Sequence, residues 1–510
     1  MTSAQPSHRP VPELPADRYV RPLTDQTVAL FTDRVDVPTY DRSALTPAVV
    51  HLGVGGFHRA HQAVYLDELA RLGETGWGET GVSLHSPKMR DALVPQGCLY
   101  TVVERDRGGD RARVVGSLLD CRYAPDDPRA VLDRLADPRT RVVTLTITGG
   151  GYPVDDDGTF QADDPVVRAD LADPTSPTGA FGYLVEALRR RRRAGLPAFT
   201  VLSCDNVPEN GDATRASVLG YARLRDAALA DWIEANATFP ASMVDRITPE
   251  TDERFRQLLI DRYGLRDNWP VVTEPFTQWV VEDRFCNGRP PLERVGVQFV
   301  EDVAPYKLMK TRLLNAAHSA LGYLGSLSGG YRTTSDVMDN PVFADYLTVL
   351  MREEIARQLP AVPGVDVEDY QRTLLNRFAN PRISDQLSRL CGRGSTKMPA
   401  YLIPSLVAAR REGRPTALLT LAVAGWFCYL RGYDLNGDPL EVRDARRDEL
   451  QPLAAHADPR PLLSERSIFG ELGDDPEFVT ALDAALRDLE SYGPAATICE
   501  YLATGLLAAA

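Results

Sequence analysis

Four short apolar runs punctuate the first half of the chain: Val49-Val50-His51-Leu52, Gly81-Val82-Ser83-Leu84, Val142 to Thr148, and Phe199 to Ser203. Runs of this length without polar alternation read as strands buried on both faces of a parallel sheet. Helical patterns lie between them. One follows a glycine-rich turn and carries Val64, Leu66, Leu69 and Leu72; another spans 179–193 and ends in arginines. Strands alternating with helices predict an α/β, doubly wound sheet of Rossmann type. Beyond residue 300 the pattern changes to helices at 308–324, 344–359, 367–378, 400–412, 417–430 and 477–489, separated by Gly and Pro. The chain is therefore read as a Rossmann-type dinucleotide-binding domain at 31–297 and a mostly α-helical substrate domain at 298–510. Residues 1–30, with Pro6, Pro10, Pro12 and Pro15 among polar neighbours, are read as a loose N-terminal extension.

A length of 510 residues agrees with two or three domains. Fifty-seven basic against 71 acidic residues leave a formal charge of −14, a surface that repels nucleic acid and anionic lipid. The longest apolar run, Thr416 to Leu430, falls short of the roughly 20 residues that cross a bilayer and reads as a buried core helix. No apolar stretch near the N-terminus resembles a secretion signal, so a cytoplasmic location is expected. The seven cysteines are scattered singly without a CxxC pair, which predicts neither a structural zinc nor a disulfide framework.

Candidate chemistry begins at Gly53-Val54-Gly55-Gly56-Phe57-His58-Arg59, where a strand turns into a helix. Such a turn lets the backbone approach a pyrophosphate, and the helix N-terminus favours negative charge. Gly53, Gly55, Gly56, Phe57, His58 and Arg59 are the expected cofactor contacts, although His58 replaces the third glycine of G-x-G-x-x-G. The second cluster is Lys310-Thr311-Arg312-Leu313-Leu314-Asn315-Ala316-Ala317-His318. At about 100° per residue, Lys310, Asn315 and His318 fall within an arc of about 140° beside an apolar stripe.

These segments resemble a known family. The glycine turn through His61, Ser203-Cys204-Asp205-Asn206, Val244-Asp245-Arg246-Ile247-Thr248-Pro249, Thr273-Glu274-Pro275-Phe276-Thr277-Gln278-Trp279, Lys310…Asn315…His318, Arg389 and Gly394-Ser395-Thr396-Lys397-Met398-Pro399 occur in the order and spacing of the polyol-specific long-chain dehydrogenase/reductase family. The resemblance covers residues 45 to 490 or so. It implies a metal-independent oxidoreductase that interconverts a polyol and a ketose, with mannitol and fructose the leading pair. A keto-uronate (fructuronate-type) reductase is the alternative, and a non-catalytic nucleotide-binding redox sensor is a third reading.

In that scheme Lys310 is the acid–base group, suited to the task if burial disfavours its ammonium form. The resemblance gives Asn206 and Asn315 the role of donors to the reacting oxygen, and His318 that of orienting the substrate. Asp245, Arg389 and Lys397 correspond to family positions that line the polyol or serve the proton path. One departure stands out: Thr146-Ile147-Thr148 leads into Gly149, where the family carries a glutamate near its catalytic lysine.

The resemblance implies NAD as cofactor. The second strand, however, runs into Ser83-Leu84-His85-Ser86-Pro87-Lys88-Met89-Arg90 with no acid before Asp91. An acid at that strand end repels a 2′-phosphate. Ser86, Lys88 and Arg90 are thus expected to let NADP be accepted within about tenfold.

Overall fold

The computed structural model describes residues 19–155 and 157–508. It forms two compact units that divide between Val303 and Ala304 rather than at 297. The difference arises because Gln298–Val300 still pairs as a strand, with Val280, Val281 and Glu282.

The first eighteen residues of the expected extension lie outside the described residues. The rest of it is not loose. Arg21 and Pro22 pair in parallel with Leu265 and Arg266, and Leu23 and Phe31 are buried against Leu99, Val114 and Tyr263. Two apolar side chains a few residues apart suffice to draw this segment onto the body of the first unit.

The centre of the first unit is a five-stranded sheet, all parallel. Its strands are β1 (Pro47–Leu52), β2 (Gly78–Ser83), β3 (Leu118–Tyr123), β4 (Val142–Leu145) and β5 (Thr200–Ser203). Their order is β3-β2-β1-β4-β5, so the chain reverses direction across the sheet between β1 and β4. Alternate residues serve opposite faces. Val50, Leu52, Val143, Leu145 and Val201 meet Phe181, Leu184, Val185 and Leu188 of the helix Ala180–Arg193. Val49, Val142 and Leu202 meet Leu66, Leu69 and Trp279 on the other side. With both faces covered, the strands carry no solvent-facing polar stripe, which is why they read as apolar runs.

The hairpin Tyr100–Asp106 and Gly109–Val115 was not expected from the pattern. Its charged half, with Arg105, Asp106, Asp110 and Arg111, hides the apolar positions Val102, Val103, Val114 and Val115 that face the interior.

The second unit is built on the helix Ala417–Leu430, buried from Leu418 to Leu430 as its uniformly apolar sequence predicts. The helices Ala316–Leu327 and Pro476–Ala508 pack on it. The last of these is broken at Gly493, where φ is +73° and Pro494 follows. Val367–Phe378 has the predicted bounds.

Candidate active site

In the first unit the C-terminal ends of β1 and β4 frame the crevice in which doubly wound folds bind dinucleotides. Gly53 has φ +102°, and a Cβ there would stand 2.1 Å from the Thr146 carbonyl oxygen, so no other residue fits. At Gly55 a Cβ would have only the Gly53 carbonyl oxygen within 4 Å, at 3.8 Å, which leaves the backbone open to a close approach. The helix Gly56–Ala60 starts here, and its first intrahelical bond runs from Arg59 N to Gly55 O. The preceding N–H groups of Gly56, Phe57 and His58 take no part in the helical ladder and suit an anion. A cavity of about 90 Å³ lies beside the end of β2, lined by Leu84, His85, Ile147, Gly150, Gly151 and Phe181 among others. It is placed to receive the adenosine half of a dinucleotide. The residues present therefore fit a nicotinamide dinucleotide.

Two of the expected cofactor contacts are not side-chain contacts. His58 is 0% exposed; its ring stacks on His51 with centroids 3.6 Å apart, and its Nε2 lies 2.8 Å from Glu79 Oε2. Arg59 is 1% exposed, donates to the Trp269 carbonyl and lies over the Tyr100 ring. Both side chains are buried inside the unit, as is Ala60 that follows them. Phe57 is half-buried, packed on His61 at 4.9 Å.

At the end of β5, Asp205 accepts hydrogen bonds from Ile147 N at 2.9 Å, Thr148 N at 2.8 Å and the Tyr152 hydroxyl at 2.8 Å. It ties the loop after β4 to the loop after β5, holding Thr148 at φ +63°. Asn206 follows immediately and is exposed at this edge. Asp245 ends the neighbouring strand Ser242–Asp245 and is buried. Asn210 donates to the carbonyls of both Asp205 (3.1 Å) and Ser242 (2.8 Å), which ties the residue after β5 to the start of that strand. Gly149 opens a one-turn helix, exposed, with an ordinary negative φ.

In the second unit the lysine helix departs from the expected geometry. Ala304–Met309 and Ala316–Leu327 are α-helical, but Lys310–Asn315 between them is a π-helical turn. Bonding from i to i+5 brings Lys310 and Asn315 onto one face, where an α-helix would separate them by about 140°. A second π turn, Met398–Leu402, directly follows Lys397 and packs against the first.

Lys310 is buried at 7% exposure. His318 lies against the Phe378 ring at 4.4 Å, and its Nε2 is buried without a hydrogen-bond partner in the protein. Burial first, then the cations Arg389, Arg377, Lys397 and Lys310, hold its imidazole well below the usual histidine range. His318 is therefore neutral, with one ring nitrogen able to donate and the other to accept. Arg389 is held by Asp385, with Nε 2.6 Å from Oδ1. Lys397 Nζ donates to the Leu390 carbonyl at 2.8 Å and the Arg389 carbonyl at 3.3 Å. Burial, then Arg389, pulls its ammonium down to about 8.

The second unit thus brings Lys310, Asn315, His318, Arg389 and Lys397 together, while in the first Asn206 follows the end of β5 and Asp245 ends the strand whose first residue, Ser242, is tied to that end through Asn210. Sequence reasoning missed Arg377, buried in the last turn of Val367–Phe378. It also left Asp205 without a role. Neither carries a pattern that separates it from a structural ion pair.

Comparison with known proteins bears on both units. Residues 47–294 match the mannitol dehydrogenase Rossmann domain, and residues 302–490 match the mannitol dehydrogenase C-terminal domain. The chain is 46% identical over 475 residues to a mannitol 2-dehydrogenase of Phaeosphaeria nodorum, covering 92% of this chain and 83% of that protein. It is 44% identical over 481 residues to a mannitol 2-dehydrogenase of Neosartorya fischeri, covering 92% and 96%. Among solved structures, Pseudomonas fluorescens mannitol 2-dehydrogenase in ternary complex with NAD and D-mannitol gives a TM-score of 0.85 at 44% identity, covering 94% of this chain and 99% of that one. A D-sorbitol dehydrogenase in substrate-free form gives 0.88 at 37% identity, covering 93% and 100%.

Proposed function

The chain belongs to the mannitol dehydrogenase family, and on that premise we propose that it interconverts a polyol and a ketose of the mannitol/fructose type, using NAD and with Lys310 as general acid–base. The observation that carries the reading is the π turn that sets Lys310 and Asn315 on one face, beside a neutral His318 whose Nε2 has no partner. The relative solved with NAD and D-mannitol supports the cofactor and the substrate class.

When bound, the nicotinamide supplies the hydride acceptor for oxidation and the donor for reduction. The chain's own residues handle the proton and the position of the substrate. Lys310 Nζ takes the proton of the reacting hydroxyl in oxidation and returns it in reduction. The side-chain amides of Asn206 and Asn315 donate to the oxygen on which negative charge develops, and fixed amide donors stabilise that charge without reorganisation. His318, neutral, accepts from or donates to an adjacent hydroxyl and so selects the reacting carbon. Asp245, Arg389 and Lys397 line the polyol or carry protons away.

The keto-uronate reading needs a cation free for a carboxylate. Arg389 is already held by Asp385 and Lys397 already serves two carbonyls, which favours an uncharged polyol. Assaying polyols, ketoses and keto-uronates with both nicotinamide cofactors tests the assignment: mannitol and fructose should give the highest kcat/KM, and a preference for a keto-uronate would replace it.

A further inference from the structure

The polar cluster beneath the glycine turn has no part in the proton chemistry, yet it sits in the middle of the sheet. His51 on β1, His58 on the following helix and Glu79 on β2 are each 0% exposed. They form a continuous chain. Glu79 Oε2 lies 2.8 Å from His58 Nε2, and the His58 ring lies flat on His51, with 9° between the planes. His51 Nδ1 and Nε2 lie 2.8 Å from the hydroxyls of Thr144 and Thr146 on and after β4. The Thr146 hydroxyl in turn donates to the Gly53 carbonyl at 2.7 Å. The chain therefore starts on one neighbour of β1 and ends on the turn itself.

Three features separate it from ordinary core filling. The surrounding strand positions Val50, Leu52, Val143 and Leu145 are apolar, and a buried polar group there is costly unless it is satisfied. His58 stands where the dinucleotide fingerprint has its third glycine, the residue that otherwise lets helix and strand approach closely. Glu79 also lines a cavity of about 20 Å³, together with Gln62 and Thr144, and its Oε1 has no partner in the protein. A space of this size admits one water molecule.

We propose that Glu79, acting through His58, His51 and Thr146, is a positioning residue for the cofactor, holding the Gly53–Gly55 turn in its binding geometry. The inference rests on the reading of that turn as the dinucleotide site. Groups that orient binding residues from behind commonly change affinity by about 10–100-fold when removed. The chain replaces a steric device, the third glycine, with a hydrogen-bonded one. A turn fixed before the ligand arrives loses less ordering entropy on binding.

NADH fluorescence titration and steady-state kinetics test this with Glu79→Ala, Glu79→Gln and Thr146→Val. Wild-type protein that fails to bind NADH would overturn the reading of the turn and this proposal with it. If wild type binds, Glu79→Ala and Thr146→Val should each raise the NADH Kd at least tenfold. The loss should appear in cofactor affinity and far less in kcat at saturation. Glu79→Gln, whose amide can still hydrogen-bond His58 Nε2, should stay within threefold of wild type. Thr146→Val is nearly isosteric and remains informative if Glu79→Ala does not fold. An NADH Kd within twofold of wild type in Thr146→Val, or a Glu79→Gln variant as impaired as Glu79→Ala, would overturn the proposal.

Discussion

Lys310 and Asn315 bound a single π-helical turn, five residues apart, inside a helix that is otherwise α-helical from Ala304 to Leu327. Single π turns within α-helices are frequent at functional sites because they re-aim side chains that a regular helix would disperse. Here the turn sets the Lys310 amine and the Asn315 amide on one face, the pair that the proposed proton transfer requires.

The position after β4 where relatives were expected to carry an acid is tested by Gly149→Glu. A Cβ at Gly149 would meet only Val207 Cγ1, at 3.5 Å, and the residue does not need a positive φ. Stability should change by no more than about 0.5 kcal/mol, as for an exposed site. The ratio of oxidation to reduction rates should shift. A large fall in Tm with an unchanged ratio would contradict the idea that this position bears on the lysine's proton.

Cofactor choice follows from the end of β2. Asp91 lies inside the helix Lys88–Leu93, so no carboxylate stands at the strand end to repel a 2′-phosphate. Arg90, however, is held by Asp91 and Asp126 and lies over Tyr123, which leaves the exposed Lys88 and the half-buried Ser86 as the groups available to a 2′-phosphate. NAD should be preferred with NADP within about tenfold in kcat/KM, a difference of about 1.4 kcal/mol. A preference above a hundredfold would show that these groups do not reach the ribose.

Chelation should leave activity intact. Among the described residues, His51, His58 and Glu79 alone place three metal-ligating atoms within 4.8 Å of one another. The two imidazoles are stacked 9° from parallel, so their in-plane lone pairs cannot converge on one ion. Activity lost on EDTA treatment and restored by a divalent cation would refute this.

Lys397 gives a signed pH dependence. Its folded pKa, about 8, lies below the usual 10.5, so between those values the unfolded chain binds more protons than the folded one. Stability therefore rises with pH through that window, and the charged form costs stability below pH 8. Lys397→Gln, which keeps an N–H donor, should raise Tm at pH 7 and lose that advantage by pH 10. A variant less stable by the same margin at both pH values would contradict the assignment.

Much of this was legible in the sequence. Val142 to Leu145 and Thr200 to Ser203 are strands because their short β-branched and apolar runs are buried on both faces, and Ala417–Leu430 is a core helix because every face is apolar. The π turn was not legible, since periodicity arguments assume a regular helix. The burial of His58 was not legible either. Its partner Glu79 lies on a neighbouring strand, and only the fold shows that a histidine in a glycine turn points inward. The same holds for Leu23 and Phe31, whose partners at 99, 114 and 263 are distant in the chain.

The central claim is that Lys310 carries the proton, and Lys310→Ala tests it most directly. The variant should keep the wild-type far-UV spectrum and melting behaviour, bind NADH normally, and lose about 10²–10⁴ of kcat in both mannitol oxidation and fructose reduction. The rising limb of its pH profile for oxidation should disappear. A folded Lys310→Ala protein that retains more than a tenth of wild-type kcat would contradict the account.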